Sequence, residues 1–500
     1  MDGEPAADEQ QGAAARRVAR NAAIRAVGEV IAKVGSLAFY SACARELGET
    51  GFGDFSFAVS FTTVLFLAAG FGTEELVARE VARDRERVHH YLTNVVALKA
   101  LLSVAMFLVA IAVMTIADYP SHVRWAVYIV GFGVCLESFG RTWGSIFQAY
   151  ERMEFISLTL ILQRILTAIV GLIVLSRGGG LIGVSIVFAV TAVIAFAVGT
   201  WALRRFVVAP RWVVDRSRWW PLVKAGLPIG IVSLLSVTLL KLDQVLLSFM
   251  SGGDNREVGL YGAAFRLIEA TLFISWSFSA AMLPWLSRQA HGTPARLLGG
   301  FELGEKALVA VLLPIAIVFV LLAHPLIELF YGAQYDDSIA SLQLLGAVTV
   351  FVGINEFAAM VLIARDKPGT STRLLAIATL VNLVTNLILI PPLGATGAAL
   401  AALTSGVLLA IMGLVILRVE LGPIRLLRPF AGPFVAGAAM AVAIVATGQG
   451  LIVGAIAGGL VYATTLVLFE RIVFRDDFDV FASLVRRRAS GARPTVPEGA

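Results

Sequence analysis

Apolar runs long enough to cross a bilayer recur fourteen times along this chain, separated by short polar links. They lie roughly at 24–44, 52–71, 92–117, 123–147, 155–175, 181–203, 221–250, 257–285, 303–329, 338–364, 370–390, 394–417, 429–447 and 450–470. A hydrocarbon core of about 30 Å takes about 20 apolar residues to cross as helix, and only an internally hydrogen-bonded backbone is tolerated there. The pattern therefore predicts an all-α polytopic membrane protein of about fourteen transmembrane helices. Composition agrees: 58% of the 500 residues are hydrophobic, 15% are charged and mean hydropathy is +0.84, more apolar surface than a water-soluble core hides.

The links alternate in charge. Of 40 Lys and Arg, 27 fall in the N-terminal tail, the C-terminal tail and every second link, around Arg79–Arg87, Arg152, Arg204–Arg218, Arg288–Arg296, Arg365–Arg373 and Arg418–Arg428. The opposite links hold four: Arg45, Arg124, Arg177 and Arg256. Positive charge is retained in the cytoplasm during insertion, so the alternation predicts a multi-pass cell-membrane protein with both termini cytoplasmic. The formal net charge of +5 then reflects topology, and nucleic acid is not an expected partner. Ala42-Cys43-Ala44 imitates a signal-peptidase site, but Glu29 and Lys33 interrupt the run before it, which reads as retained helix.

Several chemistries find no footing. The arginine-poor links are short, leaving no exterior loop for the catalytic carboxylates of a polytopic glycosyltransferase. Gly178-Gly179-Gly180 lacks the lysine of a phosphate-binding loop. His89, His90, His122, His291 and His324 have no metal-ligand spacing, and Cys43 and Cys135 sit singly within apolar runs. No cofactor, metal or enzymatic activity is expected.

Two internal matches point to duplication. Glu49-Thr50-Gly51-Phe52-Gly53-Asp54-Phe55 opens the second run, and Glu257-Val258-Gly259-Leu260-Tyr261-Gly262 opens the eighth. Gly180-Leu181-Ile182-Gly183 and Gly394-Ala395-Thr396-Gly397 open the sixth and twelfth. The expected organisation is a tail (1–23), a first lobe of six helices (24–203), a linker (204–220), a second lobe (221–417) in the same orientation, two further helices (418–470) and a tail (471–500). Gly450, Gly454 and Gly458 in the last run permit close helix packing.

Charges at membrane depth cost about 2.5 to 3.5 kcal/mol each on insertion scales, so they face water or one another. Arg25, Glu29, Lys33, Ser36 and Tyr40 share one helical face. This is either a cavity-lining stripe or a local Glu29–Lys33 neutralisation. The pairs Glu137/Arg141 and Arg266/Glu269 admit the same two readings. Asp243, near Lys241 but on another face, and Glu356 have no evident local partner. Asn382 and Asn386 share a face and either join helices or touch a substrate.

Leu227-Pro228, Lys241-Leu242-Asp243-Gln244, Val258-Gly259-Leu260-Tyr261 with Arg266 and Glu269, and Ala364-Arg365-Asp366-Lys367 through Asn382, Asn386 and Pro391 to Gly394-Ala395-Thr396-Gly397 form a set. Together they resemble the O-antigen and capsule flippase branch of the multidrug/oligosaccharidyl-lipid/polysaccharide (MOP) exporter superfamily. The resemblance implies two six-helix lobes related by a pseudo-two-fold axis around a central cavity, plus two C-terminal helices, working by alternating access. It also implies a polyprenyl phosphate or diphosphate carrying an oligosaccharide as cargo, and glycosyltransferases or a polymerase of a glycan pathway as candidate partners. On this reading Arg25, Lys33, Arg141 and Arg266 attract phosphate, Glu29, Glu137, Asp243, Glu269 and Glu356 are cavity or coupling carboxylates, and Tyr40, Asn382 and Asn386 are polar cavity residues. A cation-coupled exporter of the same architecture and a non-transporting scaffold of a glycan-assembly complex are the competing readings.

Overall fold

The computed structural model describes residues 33–209, 214–290, 292–293, 295–425, 427–448, 450–475 and 477 in full, and the backbone alone of 4–32 and 294. Arg25 and Glu29 therefore lie outside the residues whose side chains are described. Fifteen α-helices follow one another: α1 (Glu4–Ala68), α2 (Thr73–Arg83), α3 (Val88–Ile116), α4 (Ser121–Ala149), α5 (Met153–Ser176), α6 (Gly180–Phe206), α7 (Trp219–Met250), α8 (Arg256–Glu269), α9 (Leu272–Gln289), α10 (Pro294–Leu321), α11 (Ala323–Tyr331), α12 (Ile339–Ala364), α13 (Pro368–Leu421), α14 (Leu427–Ala446) and α15 (Leu451–Val473). No strand occurs among the described residues.

Among the described residues, twelve helical stretches are long and apolar enough to span a membrane. Two of them are double. Within α1 the backbone turns at Gly48 (φ 70°), and Phe39 and Tyr40 before the turn meet Phe55 after it, both at 6.0 Å between ring centroids. Within α13 the turn falls at Gly394 (φ 53°), and Asn382 before it reaches Ser405 after it. Counted as hairpins, these two give the fourteen crossings read from the sequence. Gly394 is fixed by its surroundings as well as by its left-handed backbone. The Glu257 carboxylate accepts from the Ala395 N–H at 2.7 Å, and a Cβ on residue 394 would lie 2.3 Å from that carboxylate.

Two features depart from a plain hydropathy reading. The eighth run is broken at Ala270-Thr271, which divides it into α8 and α9. Helix α2 is an extra element inside an arginine-rich link; its apolar face, Leu76, Val77 and Val81, is buried against Leu92 and Val95 of α3 and Trp143, Ile146 and Phe147 of α4. On α3, by contrast, Leu101, Val104, Leu108 and Ile111 recur at three- and four-residue spacing and stay exposed, the signature of a lipid-facing stripe.

The chain packs as two compact units. The first comprises Met1–Phe273, Ile327–Ser341 and Leu375–Ser405; the second comprises Ile274–Leu326, Leu342–Leu374 and Gly406–Ala500. In the first unit the two matched motifs cross each other. A Cβ on Gly53 would stand 1.8 Å from the Asn255 carbonyl oxygen, and one on Gly259 would stand 1.9 Å from that of Glu49, so the backbones touch and nothing larger than glycine fits. Two of the four cations of the arginine-poor links stabilise this end. Arg45 donates to the carbonyls of Glu328 and Phe330 where α11 ends, and Arg256 pairs with Glu49 and with Asp337. In the second unit, α9, α10, α12 and the end of α13 share a core of Leu286, Leu297, Phe301, Leu308, Phe357 and Leu417.

Candidate functional site

Helix α8 stops at Glu269, and three cations from three helices meet there. Lys241 of α7 pairs with Oε1 of the Glu269 carboxylate at 3.0 Å, and Arg266, one turn back on α8, pairs with Oε2 at 2.6 Å. Lys33 of α1 donates to the Glu269 backbone carbonyl at 3.2 Å, a group left open because the helix ends. The Arg266 guanidinium also lies 3.7 Å above the Tyr40 ring, and the Lys241 ammonium 4.7 Å from that of Phe265. Lys241 and Arg266 are 8% and 7% exposed, while the carboxylate between them is 26% exposed. One carboxylate thus serves two buried cations. Nε and Nη2 of Arg266, both buried, have no hydrogen-bond partner among the described residues.

Asp243 stands apart from this group. Its carboxylate accepts from the Tyr261 hydroxyl at 2.6 Å and from the Asn386 amide at 2.7 Å, and Asn386 donates to the Asn382 carbonyl at 2.8 Å. All four side chains are buried, and the donors around Asp243 are neutral. Asn386 therefore ties helix α13 to α7, while Asn382 reaches Ser405 within α13. Glu356 belongs to the second unit and has no ion-pair partner among the described residues.

Glu137 and Arg141 line a cavity of about 960 Å³ between α2, α4, α5 and α6. They do not pair with each other. Arg141 reaches Glu74 of α2 at 3.3 Å, and Glu137 accepts from Gln163 of α5. Lys99 of α3, almost wholly buried, donates to Glu74 at 2.8 Å, to the Ser138 carbonyl at 2.6 Å and to Thr142 at 3.1 Å. Burial works against ionisation of Glu74, yet Lys99 and Arg141 outweigh it and hold the carboxyl below its ordinary range. At Glu75 beside it burial outweighs the pull of the same cations and pushes the carboxyl up. Gly140 and Gly144, one turn apart on α4, also line the space, and a Cβ on either would meet nothing within 4 Å.

Lys99, Glu74, Gln163 and Arg164 were not among the residues singled out from sequence. Lys99 and Arg164 each lie mid-run and carried the same signal as Lys33. Glu74 carried none, since an acidic residue in a polar link is unremarkable until α2 folds back onto α4.

The chain matches the family model described as polysaccharide biosynthesis protein over residues 18–289. It is 25% identical over 166 residues to an uncharacterized membrane protein of Methanocaldococcus jannaschii, covering 33% of this chain, and it spans about a third (32%) of that curated relative's length. Among solved structures, the lipid II flippase MurJ in an inward closed conformation superposes with a TM-score of 0.75 at 16% identity, covering 90% of this chain and 99% of that one. An inward-facing multidrug resistance MATE transporter of the MOP superfamily superposes at 0.66 with 18% identity, covering 80% and 98%. The fold is that of these transporters, and the chain belongs to the polysaccharide biosynthesis protein family.

Proposed function

We propose that this protein is a flippase that carries a polyprenyl phosphate- or diphosphate-linked oligosaccharide from the cytoplasmic to the outer leaflet by alternating access. One observation carries the reading: among the described residues Lys241 and Arg266 share the single carboxylate of Glu269, and two nitrogens of Arg266 have no hydrogen-bond partner. A sugar-phosphate head surrenders its hydrogen bonds and buries its charge when it enters hydrocarbon. Paired, desolvated cations replace that lost hydration, while the polyprenyl tail stays in lipid. The excess of positive charge also works against a cationic drug as cargo. Both termini lie in the cytoplasm on this reading, as the arginine-rich links require. An inside-negative potential then favours export of the anion, by about 2.3 kcal/mol per charge per 100 mV.

The test is the Lys241→Ala/Arg266→Gln double variant at wild-type membrane abundance, with lipid-linked glycan quantified in each leaflet. A fall in outward movement of tenfold or more, about 1.4 kcal/mol of lost binding, is expected. Undiminished movement rejects the role assigned to this pair.

A further inference from the structure

We propose that the cavity between α2, α4, α5 and α6 is the sugar pocket, which receives the glycan while the Arg266 guanidinium holds the phosphate. This rests on the flippase reading above and assigns the glycan its own pocket. The space of about 960 Å³ is of the size that encloses a ligand of several rings. It exists because Gly140 and Gly144 leave one face of α4 bare, where a Cβ would touch nothing within 4 Å.

The chemistry of the lining selects a neutral, hydroxyl-rich guest. Glu74 is already neutralised by Lys99 and Arg141, and Glu137 already accepts from Gln163, so the wall presents fixed donors and acceptors with little net charge. Such a wall exchanges hydrogen bonds with sugar hydroxyls at low desolvation cost, whereas an ion gains little from it. On the α4–α6 side Trp143 and Phe196 stack on each other with centroids 5.7 Å apart, giving an apolar patch for the C–H face of a sugar ring. The Glu269 site differs: among the described residues it has more cations than carboxylates, and two guanidinium nitrogens without a hydrogen-bond partner. Arg164 connects the two regions. It lines the cavity and also a small cleft bordered by Ser36 and Tyr40, and Tyr40 carries the Arg266 guanidinium on its ring. On this proposal Arg164, which borders both, stands between phosphate and glycan.

Filling the cavity tests this without disturbing its walls. Gly144→Leu and the Gly140→Leu/Gly144→Leu double variant add side chains into open space, and leucine favours helix over glycine. The purified full-length protein is titrated with two probes: the glycan-bearing polyprenyl diphosphate fraction of its source cell's membranes, and farnesyl diphosphate, which has no sugar. Expected for the filled variants is a loss of affinity of about tenfold for the glycan-bearing lipid, the worth of one or two hydrogen bonds, with farnesyl diphosphate binding unchanged. Arg266→Gln weakens both probes. Wild-type affinity of the filled variants for the glycan-bearing lipid overturns the sugar pocket and leaves the anion site standing. Failure of the wild type to bind either probe, or indifference of both to Arg266→Gln, overturns the flippase reading itself.

Discussion

Each unit of the protein buries a cluster of opposite charges, and the two clusters are built with opposite excess. At Glu269 two cations share one carboxylate, and two nitrogens of the guanidinium have no partner among the described residues. In the second unit Lys306 of α10 bonds Glu470 of α15 at 2.8 Å and Asp477 at 2.7 Å, while Arg428 of α14 bonds Asp477 and Glu302, the latter at 3.3 Å. There two cations face three carboxylates, and both cations are fully engaged. The Glu302 carboxylate is used again by the Arg425 N–H at 2.8 Å. A cluster whose cations are consumed ties helices together; one whose cation has donors to spare can take an anion. In sequence both are only charges in apolar runs. What separates them is stoichiometry, which appears once helices from distant parts of the chain converge.

The comparison breaks most readily at Lys306. Lys306→Met leaves Glu470 and Asp477 buried without their shared cation, and about 3 to 5 kcal/mol of stability is expected to go. Arg266→Gln leaves Glu269 still paired with Lys241, so a cost of about 1 kcal/mol is expected there. Thermal unfolding of both variants in one detergent reads the difference. Equal losses show that the Glu269 cluster is as structural as the other.

Glu269→Gln sharpens the same point from the ligand side. It removes the carboxylate that Lys241 and Arg266 share, so an added anion relieves more repulsion than in the wild type. Farnesyl diphosphate is expected to bind the variant up to about tenfold more tightly, and to raise its melting temperature further than it raises the wild type's. Glu302→Gln in the second unit leaves that affinity unchanged. If Glu269→Gln binds no tighter, the spare charge on Arg266 is not available to a ligand.

Sequence carried the fold far and the site part of the way. The fourteen runs follow from periodicity, whereas the turn at Gly48 and the contact of the matched motifs at Gly53 and Gly259 appear only in the fold. Helix α2 escaped because TEELVAREVAR has too few apolar residues to stand out, although its buried face orders the cavity. In the site, Lys33, Tyr40, Arg266 and Glu269 do come together, and Asp243 does find Asn386. For Glu137 and Arg141 the sequence leaves a local pair and a cavity lining open, and in the fold both line a cavity and pair elsewhere. Arg141 pairs with Glu74, 67 residues distant, and Glu137 with Gln163, 26 distant, because helix packing offered better geometry than the local turn. Local spacing marks which charges are unusual; it does not identify their partners.

The smallest effect is expected at Asp477, the residue after the last span that both second-unit cations hold. Burial works against its ionisation, but hydrogen bonds from Arg428 and Lys306, together with their charge, hold its carboxyl below the usual carboxylate range. A carboxyl depressed in the folded protein stabilises it fully above the unfolded value of about 3.9 and loses that contribution as pH falls through the lower folded value. Asp477→Asn cannot titrate. The wild type should therefore melt higher than Asp477→Asn by a margin that is constant from neutral pH down to about 5 and narrows by about 2 °C below about 4. The matching control is Glu269→Gln: the same acid range then distinguishes a cluster fastened by its carboxylates from one held in excess positive charge. A margin for Asp477→Asn that does not change with pH shows that Arg428 and Lys306 do not depend on this charge, and the second cluster is then held by Glu302 and Glu470 alone.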